Sequence, residues 1–130
     1  MTKMNKQQLK NNNRLLPFVK RGEIYYADLG ETIGAEQSGL RPVIIVQNDK
    51  GNKHSPTVIV LAITSQSNKT SIPPHLKIPK EITELTKDSI ILGEQIRTID
   101  KQRLKQRIAK LPEEYMKQVD EKIKISLNLI

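Results

Sequence analysis

Two short apolar runs limit what this chain can become: Pro42–Gln47 (PVIIVQ) and Thr57–Ile63 (TVIVLAI). Each is too short for a typical globular helix, rich in β-branched residues and without polar alternation, so each reads as a strand buried on both faces. Between them, Asn48-Asp49-Lys50-Gly51-Asn52 has the Asx and glycine chemistry of a turn. Strands joined by so short a connection are expected to pair antiparallel. The entry of the first and the exit of the second then fall on one edge of the sheet. Arg41 stands at that entry and Thr64 at that exit.

The remaining pattern surrounds these strands with more sheet. Gly22–Asp28 (GEIYYAD) predicts a short strand, and residues 29–40 a long polar loop punctuated by Gly30, Gly34 and Gly39. Pro73, Pro74 and Pro79 restrict the segment between them to an irregular or edge strand. Ser89–Leu92 and Ile96–Ile99 predict further strand, with Gly93 as a bulge or bend. At Asp100 the chemistry changes. Asp100 suits an N-cap, and Leu104, Ile108 and Leu111 follow at helical spacing, which predicts a basic helix over 101–111. Pro112 suits the opening of a second helix with Met116, Val119, Ile123, Leu127 and Ile130 on one face. The expected fold class is α+β: a small curved antiparallel sheet or barrel followed by C-terminal helices.

At 130 residues the chain is one domain by length. It has no cysteine, so disulfides and thiolate metal sites are excluded. His54 and His75 read as loop residues and lack partners at metal-ligand spacing, so no metal or other cofactor is expected. No apolar run approaches the ~20 residues of a spanning helix, and the N-terminus lacks the apolar core of a signal peptide. The expectation is a soluble cytoplasmic protein with no membrane partner. The net charge of +8 is unevenly spread. Lys3, Lys6, Lys10, Arg14, Lys20 and Arg21, with no acid among them, place +6 of it in residues 1–21. Residues 1–19 are therefore read as a basic, disordered extension, either a phosphate tether or simply solvated chain, and residues 20–130 as the domain. Bulk charge says little about the domain itself.

Position says more. Gly34-Ala35-Glu36-Gln37-Ser38-Gly39-Leu40-Arg41-Pro42 is a polar loop that delivers one permanently charged, forked donor to the mouth of a buried strand. With Thr64 on the same edge, the pair would form a shallow anion site. Such a pair suits RNA, whose 2′-hydroxyl supplies its own nucleophile; the protein then has only to bend the backbone in line and stabilise charge on the phosphate. The plainer alternatives are a surface ion pair from Arg41 to Glu36 or Asp49, and a Thr64 hydroxyl bonded to its own backbone. Glu94-Gln95-Ile96-Arg97 could read base edges or form a solvated bend. The basic residues of 101–110 could track a phosphate backbone or merely face solvent. Asn48, Asp49 and Asn52 lack calcium-loop spacing and read as a turn. Phe18, Tyr25, Tyr26 and Tyr115 are too few for recognition by extensive base stacking.

At these residues the chain closely resembles the MazF/PemK toxins, endoribonucleases of bacterial type II toxin–antitoxin systems, and most of all those of Gram-positive bacteria. The likeness runs through Arg21–Tyr25, Ala27–Leu29, Gly34–Pro42, Gln47–Asp49, Gly51–Lys53, Ser55–Thr57, Ala62–Thr64, Asp88-Ser89 and Glu94–Lys101 to the last helix. It implies an SH3-like barrel, a homodimer, and metal-independent, sequence-specific cleavage of single-stranded RNA to a 2′,3′-cyclic phosphate and a 5′-hydroxyl. By the same resemblance Arg41 and Thr64 are the catalytic pair and Glu36 is a further catalytic or RNA-contact candidate. The resemblance also places Gln37, Ser38, Gly39, Ser65, Glu94 and Gln95 in the RNA groove. A cognate antitoxin protein is the implied partner, blocking that groove with an acidic tail, and the toxin–antitoxin complex is expected to bind DNA.

Four positions depart from the family pattern. Ala35 replaces a common serine, Ser38 a small residue, Gly93 a bulkier apolar residue, and His54 a frequent aromatic. Those at 35, 38 and 93 are expected to flank the groove and bear on the sequence cut. Two rival functions share the fold or the site: a toxin that binds a protein such as DNA gyrase without cutting RNA, and an RNA-binding module without turnover.

Overall fold

All the strand pairings are antiparallel, in a six-stranded sheet of order β4-β5-β3-β2-β1-β6. The computed structural model describes residues 18–65 and 71–129. The strands are β1 (Glu23–Asp28), β2 (Leu40–Ile45), β3 (Thr57–Thr64), β4 (His75–Ile78), β5 (Ser89–Asp100) and β6 (Leu104–Lys110). Helix α1 (Asp49–His54) joins β2 to β3, α2 (Lys80–Thr83) follows β4, and α3 (Glu113–Leu127) closes the chain. Most of the expected basic extension (residues 1–17), residues 66–70 and Ile130 lie outside the described residues.

The two founding runs form β2 and β3, adjacent and buried in the middle of the sheet. Alternation then separates two cores. Ile24, Ile44, Leu61, Ile63, Leu76, Ile78 and Ile91 face Met116 and Val119 of α3. On the opposite side Tyr25, Ala27, Val43, Ile45, Val58 and Val60 meet Val19, Ile99 and Leu104. The second core shows the sheet curling on itself, since β1 is paired to both β2 and β6. At that closure the buried Glu23 binds Arg107 Nε at 2.6 Å and the Lys20 amide at 2.6 Å. Burial first, and the Glu23 charge second, push the Tyr25 phenol up to about 12.

Two expectations need correction. The helix predicted over 101–111 is a short 3-10 turn, Lys101–Arg103, followed by strand β6. Asp100 does cap, accepting from the Gln102 amide at 2.8 Å, but it caps the 3-10 turn. The helical spacing of Leu104, Ile108 and Leu111 misled because β6 pairs with β1 through two register shifts, which break strict alternation. The basic residues of 104–110 therefore lie on an edge strand, at the end of the sheet far from β4. The turn after β2 is likewise a short helix, Asp49–His54. Asn48 caps it by accepting from the Gly51 amide at 2.8 Å. The calcium reading of Asn48, Asp49 and Asn52 gives way to hydrogen bonds: Asp49 accepts from the Arg21 amide and from Asn52 Nδ2.

The Pro-bounded segment is an edge strand, β4, as its prolines indicate. The two strand pieces 89–92 and 96–99 are one strand, β5, broken by a bulge. Leu61 pairs with Ile96 and Ile63 with Ile91, so Leu92, Gly93, Glu94 and Gln95 all oppose Ala62. Gly93 is needed there for space. A Cβ at this position would stand 2.5 Å from the Pro74 carbonyl oxygen and 3.0 Å from Lys122 Cβ. The same glycine bonds the residue just ahead of β4 through its amide (to Pro74 O, 3.0 Å) and α3 through its carbonyl (from Ser126 Oγ, 2.7 Å). Gly93→Ala is expected to destabilise the domain by about 1–3 kcal/mol, from overpacking against backbone that cannot yield cheaply. Urea unfolding checks this; an unchanged midpoint would contradict it.

Candidate active site

The pairing of β2 with β3 runs Val43↔Ala62, Ile44↔Leu61, Ile45↔Val60. One further two-residue step along that register sets Arg41 opposite Thr64. Period-two alternation gives both side chains the face of Val43 and Ala62, away from α3. The inference from strand entry and strand exit is thereby met. Thr64 sits within the sheet and is buried, at 1% exposure. Arg41 is half-buried at the rim of β2 and also pairs with Ala27 of β1.

The loop ahead of Arg41 is closed at its neck by paired backbone bonds, Leu29 N to Gly39 O and Gly39 N to Gly30 O, both 2.9 Å. Gly30 and Gly39 take φ of 70° and 72°, a left-handed backbone that side chains disfavour. Arg41 Nε donates to Ser38 O at 3.1 Å, which fixes the guanidinium plane. Its terminal nitrogens have no protein partner among the described residues, so the open side of the fork is available to an anion. The alternative of an ion pair from Arg41 to Glu36 or Asp49 is not realised. Glu36 is exposed and accepts from the Ile33 amide at 3.3 Å, within its own turn. Asp49 is held by Arg21 and Asn52, and its carboxyl lies below the usual carboxylate range, chiefly through the Arg21 amide bond.

The other expected site residues fall into two groups. Gln37, Ser38 and Gly39 line the loop next to Arg41; Gln37 is buried, and its Oε1 has no hydrogen-bond partner among the described residues. A buried acceptor left open in this way is a natural place for a ligand donor. Ser65 is exposed, one residue past Thr64. Glu94 and Gln95 occupy the β5 bulge opposite Ala62, two residues along β3 from Thr64. The Glu94 carboxylate lies 3.0 Å from Nε2 of His75, which is itself buried and accepts from the Ile72 amide through Nδ1 at 3.5 Å. His75 was expected to be a loop residue; it is instead the first residue of β4 and the brace of Glu94.

Arg97 has a role that its neighbourhood in the sequence conceals. It was grouped with the base-reading segment. From β5 its Nη1 donates to Gln37 O and its Nη2 to Leu29 O, both at 3.2 Å. One guanidinium thus ties both limbs of the Arg41 loop to the sheet. The signal available in the sequence was only that arginine suits such forked bonding.

Residues 20–127 match the family described as PemK-like, MazF-like toxin of type II toxin-antitoxin system. The Endoribonuclease MazF of Staphylococcus saprophyticus is 55% identical over 111 residues, covering 85% of this chain and 92% of that protein. Among solved structures, a MazF from Deinococcus radiodurans superposes with a TM-score of 0.73 at 19% identity, covering 85% of this chain and 97% of that one. An endoribonuclease from a mycobacterial species, solved in complex with its cognate antitoxin, gives 0.72 at 23% identity, covering 86% and 97%. These two structural likenesses bear on the fold.

Replacing Arg97 by lysine leaves the charge but removes the fork. The loop neck is then expected to open more often, raising hydrogen exchange at the Leu29 and Gly39 amides by about tenfold or more, with β3 amides unchanged. Equal protection in both proteins would show that Arg97 does not hold the loop.

Proposed function

This chain belongs to the PemK-like, MazF-like toxin family, and on that premise we propose how it works as the endoribonuclease toxin of a type II toxin–antitoxin system. The observation that carries the reading is the β2–β3 register, which sets Arg41, with an open fork, opposite Thr64. The substrate is single-stranded RNA. Its 2′-hydroxyl attacks the adjacent phosphate, losing its proton to a base as the bond from phosphorus to the 5′-oxygen breaks. The products are a 2′,3′-cyclic phosphate and a 5′-hydroxyl.

Arg41 stabilises the charge that grows on the phosphate oxygens and delivers a proton to the leaving 5′-oxygen. Thr64 donates a hydrogen bond to one phosphate oxygen. Glu36 is the candidate base, and its tie to the Ile33 amide would have to loosen for it to reach a ribose. Gln37, Ser38, Gly39 and Ser65 contact the strand near the cut. The open Gln37 Oε1 accepts from a base amino group or a ribose hydroxyl. Glu94, held by His75, and Gln95 select bases from the bulge. No metal or cofactor is required by this scheme. The working unit is a homodimer, and the partner that restrains it is a cognate antitoxin, as in the mycobacterial complex that shares the fold. No observation favours the gyrase-binding alternative.

Arg41→Ala is expected to lower kcat by about a hundredfold or more, the usual cost of losing an oxyanion donor. Thr64→Val should lower it less, with KM nearly unchanged for both. Cleavage of a structure-poor RNA in EDTA, with ends mapped by primer extension, checks the chemistry and the metal independence together. Wild-type rates from Arg41→Ala would remove Arg41 from the mechanism.

The loop bears on specificity separately from rate. Ala35 and Ser38 flank Glu36 and Gln37. Ala35→Ser with Ser38→Gly is expected to change which sequences are cut while leaving kcat on the best sequence within about tenfold, since Arg41 is held by the Ser38 backbone carbonyl, which both substitutions leave in place. Sequencing of cleavage ends from a mixed RNA pool checks this; identical cut sites would refute it.

A further inference from the structure

Strand register extends the Arg41–Thr64 pair into a row that crosses four of the six strands. Thr64 pairs with Ile90 of β5, and Ile90 with Lys77 of β4. Arg41, Thr64, Ile90 and Lys77 are therefore cross-strand neighbours in sequence across β2, β3, β5 and β4, and share one face. The alternation of β4 agrees. Leu76 and Ile78 enter the core beneath α3, while Lys77 between them is exposed on the other side. At about 4.8 Å per strand, the row carries Lys77 about 14 Å from Arg41 along the sheet. That is too far to share the phosphate at Arg41. It suits a phosphate further along the same RNA strand.

A cavity of about 380 Å³ opens at this end of the row, lined by Ser65, Lys77, Ile78, Pro79, Asp88, Ser89 and Ile90. Its lining includes Ser65, next to Thr64, and Ile90, the β5 partner of Thr64, so it neighbours the proposed cleavage site. Its chemistry is divided. Half-buried Pro79, with Ile90 behind it, offers an apolar surface on which a base can rest. The Lys77 ammonium has no hydrogen-bond or ion-pair partner among the described residues, whereas its acidic neighbour is engaged: Asp88 Oδ1 accepts from the Lys80 amide at 2.9 Å. Ser89 Oγ donates to Lys87 O at 3.1 Å. The available cation is Lys77, at the rim of a space of the size small ligands occupy.

We propose that this cavity is a subsite for a nucleotide flanking the cleaved bond, with Lys77 holding its phosphate and the apolar floor taking its base. The proposal rests on the RNA-cleaving reading above. It gives the substrate a direction of travel, from the Arg41 loop across β3 and β5 to the β4 edge. It also assigns a function to a strand that the sequence marked only by its prolines.

The test compares wild type with Lys77→Gln and Lys77→Arg, on a long RNA and on one trimmed in turn from each side of the cut. Lys77→Gln should raise KM on the long RNA about three- to tenfold, with kcat unchanged. For an RNA carrying a 2′-deoxynucleotide at the cut position, which binds without being cleaved, the slope of log K against log salt should fall by about 0.7, the amount for one single-strand phosphate contact. Lys77→Arg should retain the wild-type slope. On RNA trimmed from one particular side, wild type and Lys77→Gln should become equal. The proposal is overturned if Lys77→Gln keeps the wild-type KM and slope on long RNA, or if its defect persists unchanged whichever side is trimmed. Failure of the wild-type protein to cut any RNA would instead overturn the cleavage reading, and this one with it.

Discussion

The register of β2 against β3 is the constraint on which the rest depends. Strand side chains alternate faces, so a slip of one residue would turn Arg41 and Thr64 toward the core under α3 and bring Ile44 and Leu61 out. Register is well specified here because both faces of these strands are buried, one by α3 and one by the curl of β1 and β6. The apolar core thus does electrostatic positioning indirectly. By fixing which residues may lie inward, it fixes where the Arg41 fork must stand.

Much of this was legible in the chain. The runs 42–47 and 57–63 are unambiguous in length and composition, and their short connection leaves little choice of pairing. Arg41 and Thr64 could be named because they end those runs. What could not be read depended on partners distant in sequence. The strand β6 looked helical because bulges against β1 displaced its inward residues into helical spacing. Arg97 looked like a member of a base-reading segment, yet its bonds reach back 60 and 68 positions to the loop. His75, taken for a loop residue, is a buried strand residue whose partner lies 19 positions ahead. Local pattern is silent about such contacts, since they carry no periodicity.

The charge distribution supports a reading in which placement outweighs amount. Six of the basic residues precede Gly22, and the domain beyond is nearly balanced. Several of the domain's cations are also committed to structure. Arg107 holds Glu23, Arg97 and Arg103 hold backbone carbonyls, and Lys101 bonds the Asn52 carbonyl. A cation already donating to a carbonyl is pinned in geometry and contributes less to a diffuse attractive surface. The fork of Arg41 and the ammonium of Lys77, by contrast, have no partners among the described residues and share one face, so in the proposed scheme an RNA strand meets few cations but meets them in line.

In the proposed scheme Gly93 bears on base selection without facing the groove. Any side chain there would be directed at Pro74 and Lys122, not into the groove. The expectation that position 93 acts from the groove wall therefore needs a different cause. Pro74 precedes His75, and His75 holds the Glu94 carboxylate. A bulkier residue at 93 must push β4 or α3 outward, and displacement of Pro74 carries His75 with it. The glycine permits a close approach between bulge and edge strand, and that approach sets where Glu94 is presented. Substitution at 93 should thus act on base selection through the spacing of β4 and β5, while the Arg41–Thr64 pair, on β2 and β3 across β5 from the displaced edge strand, stays where it is.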